Sequence, residues 1–195
     1  MATVESAKTD IDENNNRQWY VGIVSPRHEK KIADNIRQLG YEAFVPVQTV
    51  TRTWSQGRKR DVEVVLIPAK IFVFLTNDER LKLLRCGLGL RYYLVNICGK
   101  VDELGRRPLA IVPRKQMECF QLMLDKSPSR IDIVENQFVQ GDKVKVVSGP
   151  LEGLEGIVKW GPENKTRIYI VLDTLGSAST EIDVKDIEIM KTDSN

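Results

Sequence analysis

Few side chains in this 195-residue chain could perform acid–base or nucleophilic catalysis. His28 is its one histidine, and a lone imidazole near a predicted helix start favours a surface or capping role. Cys86, Cys98 and Cys119 are too scattered for a zinc site or a disulfide framework, and unpaired thiols fit a reducing compartment. Walker and Gly-x-Ser-x-Gly motifs are absent from the sequence. We therefore expect no enzyme, no metal and no cofactor.

Positive charge is the chemistry that the chain does carry. Residues 17–125 hold 19 Lys and Arg against 11 Asp and Glu, whereas residues 126–195 hold 9 against 12. The excess is concentrated on one side of a predicted helix and in a predicted hairpin loop, at Arg27, Lys30, Lys31, Arg37 and Arg58-Lys59-Arg60. This asymmetry favours contact between the first half and phosphate, although ordinary solvated surfaces also show a modest basic excess.

Alternating strands and helices are predicted ahead of residue 126. Trp19 to Val24 predicts a strand, and Ser25-Pro26 predicts the N-cap and first residue of a helix that ends before Gly40. The apolar stripe of that helix is Ile32, Ala33, Ile36 and Leu39. Further strands are predicted at Ala43–Thr53, Asp61–Leu66, Ile71–Leu75 and Tyr92–Ile97, and helices at Asp78–Arg85 and Pro113–Asp125. This order predicts an α+β sandwich around one mainly antiparallel sheet.

The composition also divides the chain into segments. Residues 1–16 are polar and predict a disordered arm, 17–125 an α+β domain, 126–138 a flexible linker, and 139–191 a small all-β domain. Short strands with glycine corners in that last segment are typical of a small β-barrel. The sequence contains no apolar run long enough to span a membrane and no signal-peptide pattern, so we expect a cytoplasmic protein without membrane contact.

The segment from Gly141 to Val158 is the most specific in the chain. Its valines alternate with lysines, so the valines are expected to face a small core. Its glycines allow tight turns or close approach of strands. The spacing resembles the KOW motif of NusG-type elongation factors and several ribosomal proteins, through Gly141, Asp142, Val144, Val146, Gly149, Pro150, Gly153 and Gly156. This resemblance implies an SH3-like barrel.

The first half resembles the NusG N-terminal domain in the order and spacing of its segments. These include Trp19-Tyr20-Val21, the basic helix, the Arg/Lys-rich hairpin and the stretch from Leu66 to Val73. The resemblance extends from about Trp19 to Met190. Tyr41 to Pro46, Thr53-Trp54-Ser55 and Leu151 to Gly156 are most similar to the UpxY branch, which is tied to capsular-polysaccharide operons of Bacteroides-type bacteria. The resemblance implies a NusG N-terminal sandwich linked to a KOW barrel. It also implies an operon-specific antitermination factor that suppresses pausing.

The NusG resemblance implies that the N-terminal domain docks on RNA polymerase. An apolar patch would grip the β′ clamp helices, with the β subunit as a second contact, through Trp19, Ile67, Pro68, Lys70 and Phe72. The usual family form is Phe-Pro-Gly-Tyr, whereas this chain has Ile67-Pro68-Ala69-Lys70. Ile67 and Phe72 also have a structural interpretation as core residues of the sheet. The protein is expected to bind the polymerase as a monomer.

The same resemblance implies a second partner, the displaced non-template DNA strand or the nascent RNA. The candidate contacts lie on the first helix and beyond the second, at Arg27, Lys31, Asn35, Arg91 and Tyr92. Lys or Arg would bind phosphate, and Tyr92 could stack on an unpaired base. An ordinary solvated helix face is the alternative interpretation.

The barrel loop before the last strand is expected to contact a further factor. In NusG proteins an exposed Phe-Gly there binds Rho or a ribosomal protein, and Leu175-Gly176 matches it in this chain. The replacement of Phe by Leu175 implies weakened or retargeted binding. A KOW-domain ribosomal or ribosome-assembly protein is the alternative function, but it predicts a strongly basic barrel, whereas residues 126–195 are net acidic.

Overall fold

The computed structural model describes residues 16–54, 57–97, 99–134, 141–159, 166–172 and 175–190. Nearly all of the predicted arm, residues 1–16, lies outside the described residues. The chain divides into two compact units, here called the first unit (Met1–Val45 with Pro68–Arg114) and the second unit (Pro46–Ile67 with Lys115–Asn195).

The units do not divide at the predicted boundary after Asp125. Residues 46–67 belong with the C-terminal half because their contacts are made there. The Gln48 side chain donates to the Ser129 carbonyl at 3.3 Å and accepts from the Ile131 N–H at 3.1 Å. These bonds hold the chain after residue 126 in place.

An antiparallel five-stranded sheet forms the centre of the first unit. Its order is β2-β5-β1-β6, and β7 also pairs with β1. The strands are β1 (Gln18–Ile23), β2 (Glu42–Phe44), β5 (Lys70–Leu75), β6 (Tyr92–Tyr93) and β7 (Ile111–Val112), and the helices are α1 (Glu29–Gln38) and α2 (Asn77–Arg85). The predicted Tyr92–Ile97 strand is wrong beyond Tyr93, since only an isolated bridge joins Val95 to Leu109.

Strands β1 and β5 are apolar on both faces. Every residue from Ile71 to Leu75 is buried, as are Trp19, Tyr20 and Val21 opposite them. The Trp19 and Phe74 rings lie 5.2 Å apart between centroids. Continuous burial of this kind is typical of a strand covered on both sides, and it makes Trp19 a core residue.

Helix α1 begins later than predicted. Ser25 is not its N-cap, because the Ser25 carbonyl accepts the His28 N–H at 3.2 Å and Arg27 has φ of +69°, which a helix cannot contain. The predicted end is confirmed: Gly40 has φ of +85° and donates to the Arg37 carbonyl. Leu39 was predicted to lie in the apolar stripe but is 50% exposed. It is the C-cap residue, just after Gln38, the last residue of the helix.

Glu29 ties α1 to the turn that precedes β5. The residue is 3% exposed, and its carboxylate accepts the Ala69 N–H at 2.7 Å. Ala69 has φ of +61°, and its carbonyl accepts the Val24 N–H at 3.0 Å. A buried carboxylate therefore holds a left-handed turn beside the end of β1.

Replacing Ala69 by glycine is expected to raise the free energy of unfolding by about 0.5–1 kcal/mol. A left-handed non-glycine residue costs about 1–2 kcal/mol, and the greater freedom of unfolded glycine offsets about 0.4–1 kcal/mol of that gain. Urea denaturation of Ala69→Gly against the parent measures the difference. A less stable glycine variant would mean that the turn is not strained.

Two strands form a separate hairpin in the second unit. Strand β3 (Val47–Thr53) pairs with β4 (Lys59–Val65) along its whole length. The predicted strand Ala43–Thr53 is therefore two strands, interrupted at Val45 and Pro46. Proline lacks the N–H that a ladder requires, and the Pro46 carbonyl instead accepts the Leu66 N–H at 2.9 Å.

Helix α2 begins with a complete capping box. The Thr76 hydroxyl accepts the Glu79 N–H, and the Glu79 carboxylate accepts the Thr76 N–H. Arg17 binds the same carboxylate at 2.6 Å. Partial burial raises the pKa of Glu79, but the Arg17 guanidinium and the Thr76 N–H outweigh it and hold that pKa below its ordinary value.

A six-stranded antiparallel sheet forms the larger part of the second unit. Its order is β13-β9-β10-β11-β12-β8. The strands are β8 (Asp132–Val134), β9 (Asp142–Val146), β10 (Glu155–Lys159), β11 (Thr166–Val171), β12 (Ser177–Ile182) and β13 (Ile187–Ile189). The pairings follow one open path, so closure into an SH3-like barrel stays a prediction. All of helix α3 (Arg114–Lys126) after its first residue belongs to this unit.

The predicted linker, residues 126–138, contains a strand and is wrong in its first part. Strand β8 pairs with β12, and Ile131 beside it is buried. The Asp132 carboxylate accepts from the Arg167 guanidinium at 2.7 Å. The alternation of Ile131 and Ile133 with polar residues indicates a strand. The breaker residues Ser127 and Pro128 led instead to the prediction of a linker. Residues 135–138 lie outside the described part.

Within the described ranges, no helix is long and apolar enough to cross a membrane.

Candidate nucleic-acid interface

The turn between β1 and α1 presents one of the predicted nucleic-acid contacts. Residues Ser25 to His28 form a tight turn closed by the Ser25 carbonyl, and the His28 ring nitrogen Nδ1 lies 3.1 Å from the Pro26 carbonyl oxygen. Arg27 is exposed at the left-handed position of this turn. The turn, and not the helix, therefore positions the Arg27 guanidinium.

Arg91 and Tyr92, which lie far along the chain, are brought to this turn. The Arg91 N–H donates to the Ile23 carbonyl at 2.9 Å, and its guanidinium donates to the Ser25 hydroxyl at 3.0 Å. Tyr92 is directly opposite Ile23 across the β1–β6 pair and is 56% exposed. The structure therefore joins Arg27, Arg91 and Tyr92 at one end of β1.

A close packing contact allows this approach. A Cβ on Gly22 would lie 2.6 Å from the Leu90 side chain, so the glycine leaves room for the residue that precedes Arg91. Leu90 itself is buried. The exposed pair Arg91 and Tyr92 is consequently anchored by a core residue.

Lys70 lies at the same end of the sheet, which the sequence did not indicate. It is directly opposite Ile23 on the β5 side, whereas Tyr92 is opposite Ile23 on the β6 side. Directly paired residues share a face, and neighbouring strands lie about 4.8 Å apart. Lys70 and Tyr92 therefore project from one face about 10 Å apart. We call Arg27, Lys70, Arg91 and Tyr92 the strand-end cluster.

Lys31 and Asn35 continue the basic face along α1. They lie one turn apart, with Lys31 exposed and Asn35 half-buried. Farther along, Arg37 is paired with Asp34 at 2.6 Å and also donates to the Ala43 carbonyl. The positive charge at the end of the helix is therefore compensated.

The predicted apolar docking patch is largely buried, which corrects the sequence analysis. Trp19, Ile67 and Phe72 are all core residues. The Phe72 ring packs on Phe44 with centroids 6.1 Å apart, so its structural interpretation is the right one. Of the five predicted residues, only Pro68 is exposed and Lys70 half-buried.

The KOW-like residues shape the second sheet. Val144 and Val146 are buried and alternate with exposed lysines, as predicted. A Cβ on Gly141 would collide with the Val158 carbonyl oxygen, and one on Gly156 would lie 2.7 Å from the Tyr169 carbonyl oxygen. These two glycines therefore permit close strand approach.

The remaining KOW-like residues form the turns around β9. Gly149 and Gly153 have φ of +83° and +87°, and the exposed Pro150 lies between them. The Gly153 N–H donates to the Val146 carbonyl at 2.9 Å. Asp142 is the exposed first residue of β9, opposite Val158. The glycines and valines of the motif thus have structural roles in the second sheet.

Leu175 is not an exposed factor-binding residue. Its side chain is 6% exposed, and its N–H donates to the Leu172 carbonyl at 3.0 Å. Gly176, with φ of +97°, accepts the Leu172 N–H at its carbonyl. The leucine packs into the core of the second unit and forms a turn before β12.

The strand-end cluster combines positive charge with an exposed aromatic ring. Three cations and a phenol supply phosphate contacts and a stacking surface, with no nucleophile–base pair among them. Glu29 is the nearest carboxylate along the chain, and its oxygen is occupied by the Ala69 N–H. These groups are chemically complementary to an anionic ligand that carries an aromatic ring.

Comparison with known proteins agrees with the sequence resemblance. Residues 17–120 match the family model described as "Transcription termination factor nusG". The transcription termination/antitermination protein NusG of Borreliella burgdorferi (strain ATCC 35210 / DSM 4680 / CIP 102532 / B31) is 24% identical over 189 residues, which cover 88% of this chain and 98% of that protein.

Two solved structures are also similar to the chain. One is described as "Domain interaction in Thermotoga maritima NusG", with 21% identity, a TM-score of 0.44, and coverage of 91% of this chain and 99% of that one. The other is an MjSpt4:Spt5 complex, with 12% identity, a TM-score of 0.25, and coverage of 88% and 97%. Because the matching family model spans more than half of the chain, this protein belongs to the NusG family and is a transcription termination/antitermination factor.

Proposed function

We propose that this protein binds elongating RNA polymerase and suppresses pausing or termination, at operons for polysaccharide biosynthesis. Family membership supports the polymerase as partner. Similarity of Tyr41 to Pro46 and of Leu151 to Gly156 to the UpxY branch supports the operon class. The protein acts by binding and not by catalysis.

The observation that carries the proposal is the strand-end cluster. In an elongation complex the displaced non-template strand offers both phosphates and unpaired bases. Arg27, Lys70 and Arg91 would contact its phosphates, and Tyr92 would stack on a base, which is worth about 1–3 kcal/mol. Lys31 and Asn35 would extend the contact along α1.

Docking on the polymerase needs a surface other than the buried aromatic residues. We assign it to Pro68 and the turn around it, beside the β′ clamp helices. Lys70, predicted in the docking patch, serves the nucleic acid instead, because its register with Ile23 and Tyr92 puts it in the strand-end cluster. With Leu175 buried, Rho recruitment through that residue is not expected.

The experiment measures contact with the non-template strand in an assembled elongation complex. A 2-aminopurine base in that strand reports stacking by its fluorescence. Tyr92→Leu is expected to weaken binding about 5–150-fold, the equivalent of the stacking energy of one base. Arg27→Asn, which suits the left-handed turn, combined with Lys70→Gln should lower the salt slope by about 1.4 for two phosphate contacts on a single strand.

A matched charge change provides the control. Lys82 and Arg85 are exposed in the last turn of α2 and lie outside the cluster. Lys82→Gln with Arg85→Gln should leave the fluorescence and the slope unchanged. If it weakens binding as much as the cluster variant, the contact is non-specific attraction and the assignment of the cluster is wrong.

A further inference from the structure

The tip of the β3–β4 hairpin combines four cations with an exposed tryptophan. Arg52 is directly opposite Arg60 and Thr53 opposite Lys59, so the ladder continues to the tip. The Trp54 N–H donates to the Arg58 carbonyl at 2.9 Å, and the Gly57 N–H donates to the Trp54 carbonyl. All four cations are exposed, and Trp54 is 51% exposed.

The pleat places the tryptophan among the arginines. Side chains two residues apart on a strand share a face, and directly paired residues share it too. Trp54 lies two residues beyond Arg52, and Arg58 two residues before Arg60. One face of the tip therefore presents an indole ring with three guanidinium groups, whereas Thr51 and Asp61 are hydrogen-bonded on the other face at 2.6 Å.

This arrangement is unfavourable without a ligand. Like charges directly opposite on an antiparallel pair destabilise it, and Arg52 is opposite Arg60. In the described ranges, no ion pair involves Arg52, Arg58, Lys59 or Arg60. Cations can also protect an exposed strand from aggregation, but an exposed tryptophan works against that purpose.

We propose that the hairpin tip, formed by Arg52, Trp54, Arg58 and Arg60, binds single-stranded nucleic acid by itself. The guanidinium groups contact the phosphates, and the Trp54 indole stacks on an unpaired base without reading its identity. The site is separate from the strand-end cluster and requires no polymerase. Nascent RNA and displaced DNA offer the same chemistry, so both are ligand candidates.

The experiment titrates the full chain, without polymerase, into fluorescein-labelled 12-residue single strands of RNA and DNA. Trp54→Leu should weaken binding of both about 5–150-fold. Intrinsic fluorescence should be quenched by unlabelled oligonucleotide in the parent and less in Trp54→Phe. A blunt duplex should bind more weakly than either strand, because its bases are already stacked.

The charge variant is Arg52→Gln with Arg60→Gln. It should lower the salt slope by about 1.4. Its melting temperature should be unchanged or higher, because the variant relieves a like-charge pair. A merely structural role of the arginines predicts a lower melting temperature instead and would overturn the proposal. The control Lys82→Gln with Arg85→Gln should bind like the parent.

The remaining outcomes separate the possible ligands. Stronger binding of RNA than of DNA, or the reverse, would support the site and show whether its ligand is nascent RNA or displaced DNA. Parental affinity in both Trp54→Leu and the charge variant would overturn it. Binding of poly-glutamate as tightly as the oligonucleotide would overturn it in favour of an acidic protein partner. Because no polymerase is present, a failure here leaves the proposed function standing.

Discussion

Replacing Glu29 by alanine is expected to lower the free energy of unfolding by about 2–4 kcal/mol. The variant removes the charged acceptor of the Ala69 N–H, and leaving that donor without a partner costs about 1–3 kcal/mol. Glu29 also lies in the first turn of α1, where negative charge is favoured. Urea denaturation followed by circular dichroism measures the loss.

The same variant should disturb the strand-end cluster. Ala69 precedes Lys70, and its carbonyl accepts the Val24 N–H beside the Ser25 turn. Glu29→Gln keeps an acceptor oxygen and should lose much less stability, about 1 kcal/mol. If Glu29→Ala unfolds within 0.5 kcal/mol of the parent, which is about the scatter of surface substitutions, the buried bond does not hold the turn.

Replacing Gly141 by alanine is expected to cost about 3 kcal/mol of stability in the second unit. The new Cβ meets the Val158 carbonyl oxygen and approaches the Ile157 side chain at 3.0 Å. Val158 is paired on β10 between β9 and β11, so its backbone cannot move without breaking the ladder. Overpacking of this kind costs about 1–3 kcal/mol, occasionally more. Differential scanning calorimetry would record the lower transition.

Gly153 gives the comparison for Gly141. A Cβ there has open space around it, but φ is +87°. Gly153→Ala should therefore cost only the backbone strain less the entropy that alanine loses in the unfolded chain, about 0.5–1 kcal/mol. Equal losses at the two positions would show that close approach of β9 and β10 is not what requires glycine.

Local sequence signals identified most elements of the fold. Runs of aromatic and β-branched residues predicted β1 and β5, Gly40 predicted the end of α1, and the KOW-like glycines predicted turns and close approach. In each case the signal lies within a few residues of the feature. The start of α1 was missed because Ser25-Pro26 suits a turn as well as a cap, and the left-handed Arg27 has no sequence signature.

The candidate site could be predicted only in part. Arg27, Arg91 and Tyr92 were assigned together through the family resemblance, whereas their meeting depends on strand order. The position of Lys70 on the same face as Tyr92 could not be predicted, because its register with Ile23 is a tertiary property. Trp19 and Phe72 were expected in a docking patch because aromatic residues suit both interfaces and cores, and sequence alone cannot separate the two.

An in vitro elongation assay on a leader template with the matched polymerase tests the central claim most directly. The parent protein should bind the polymerase and shorten pauses or increase read-through. Arg27→Asn with Lys70→Gln should lose most of this effect, and Lys82→Gln with Arg85→Gln should keep it. Unchanged pausing and termination on every template, together with no binding to polymerase, would contradict the account.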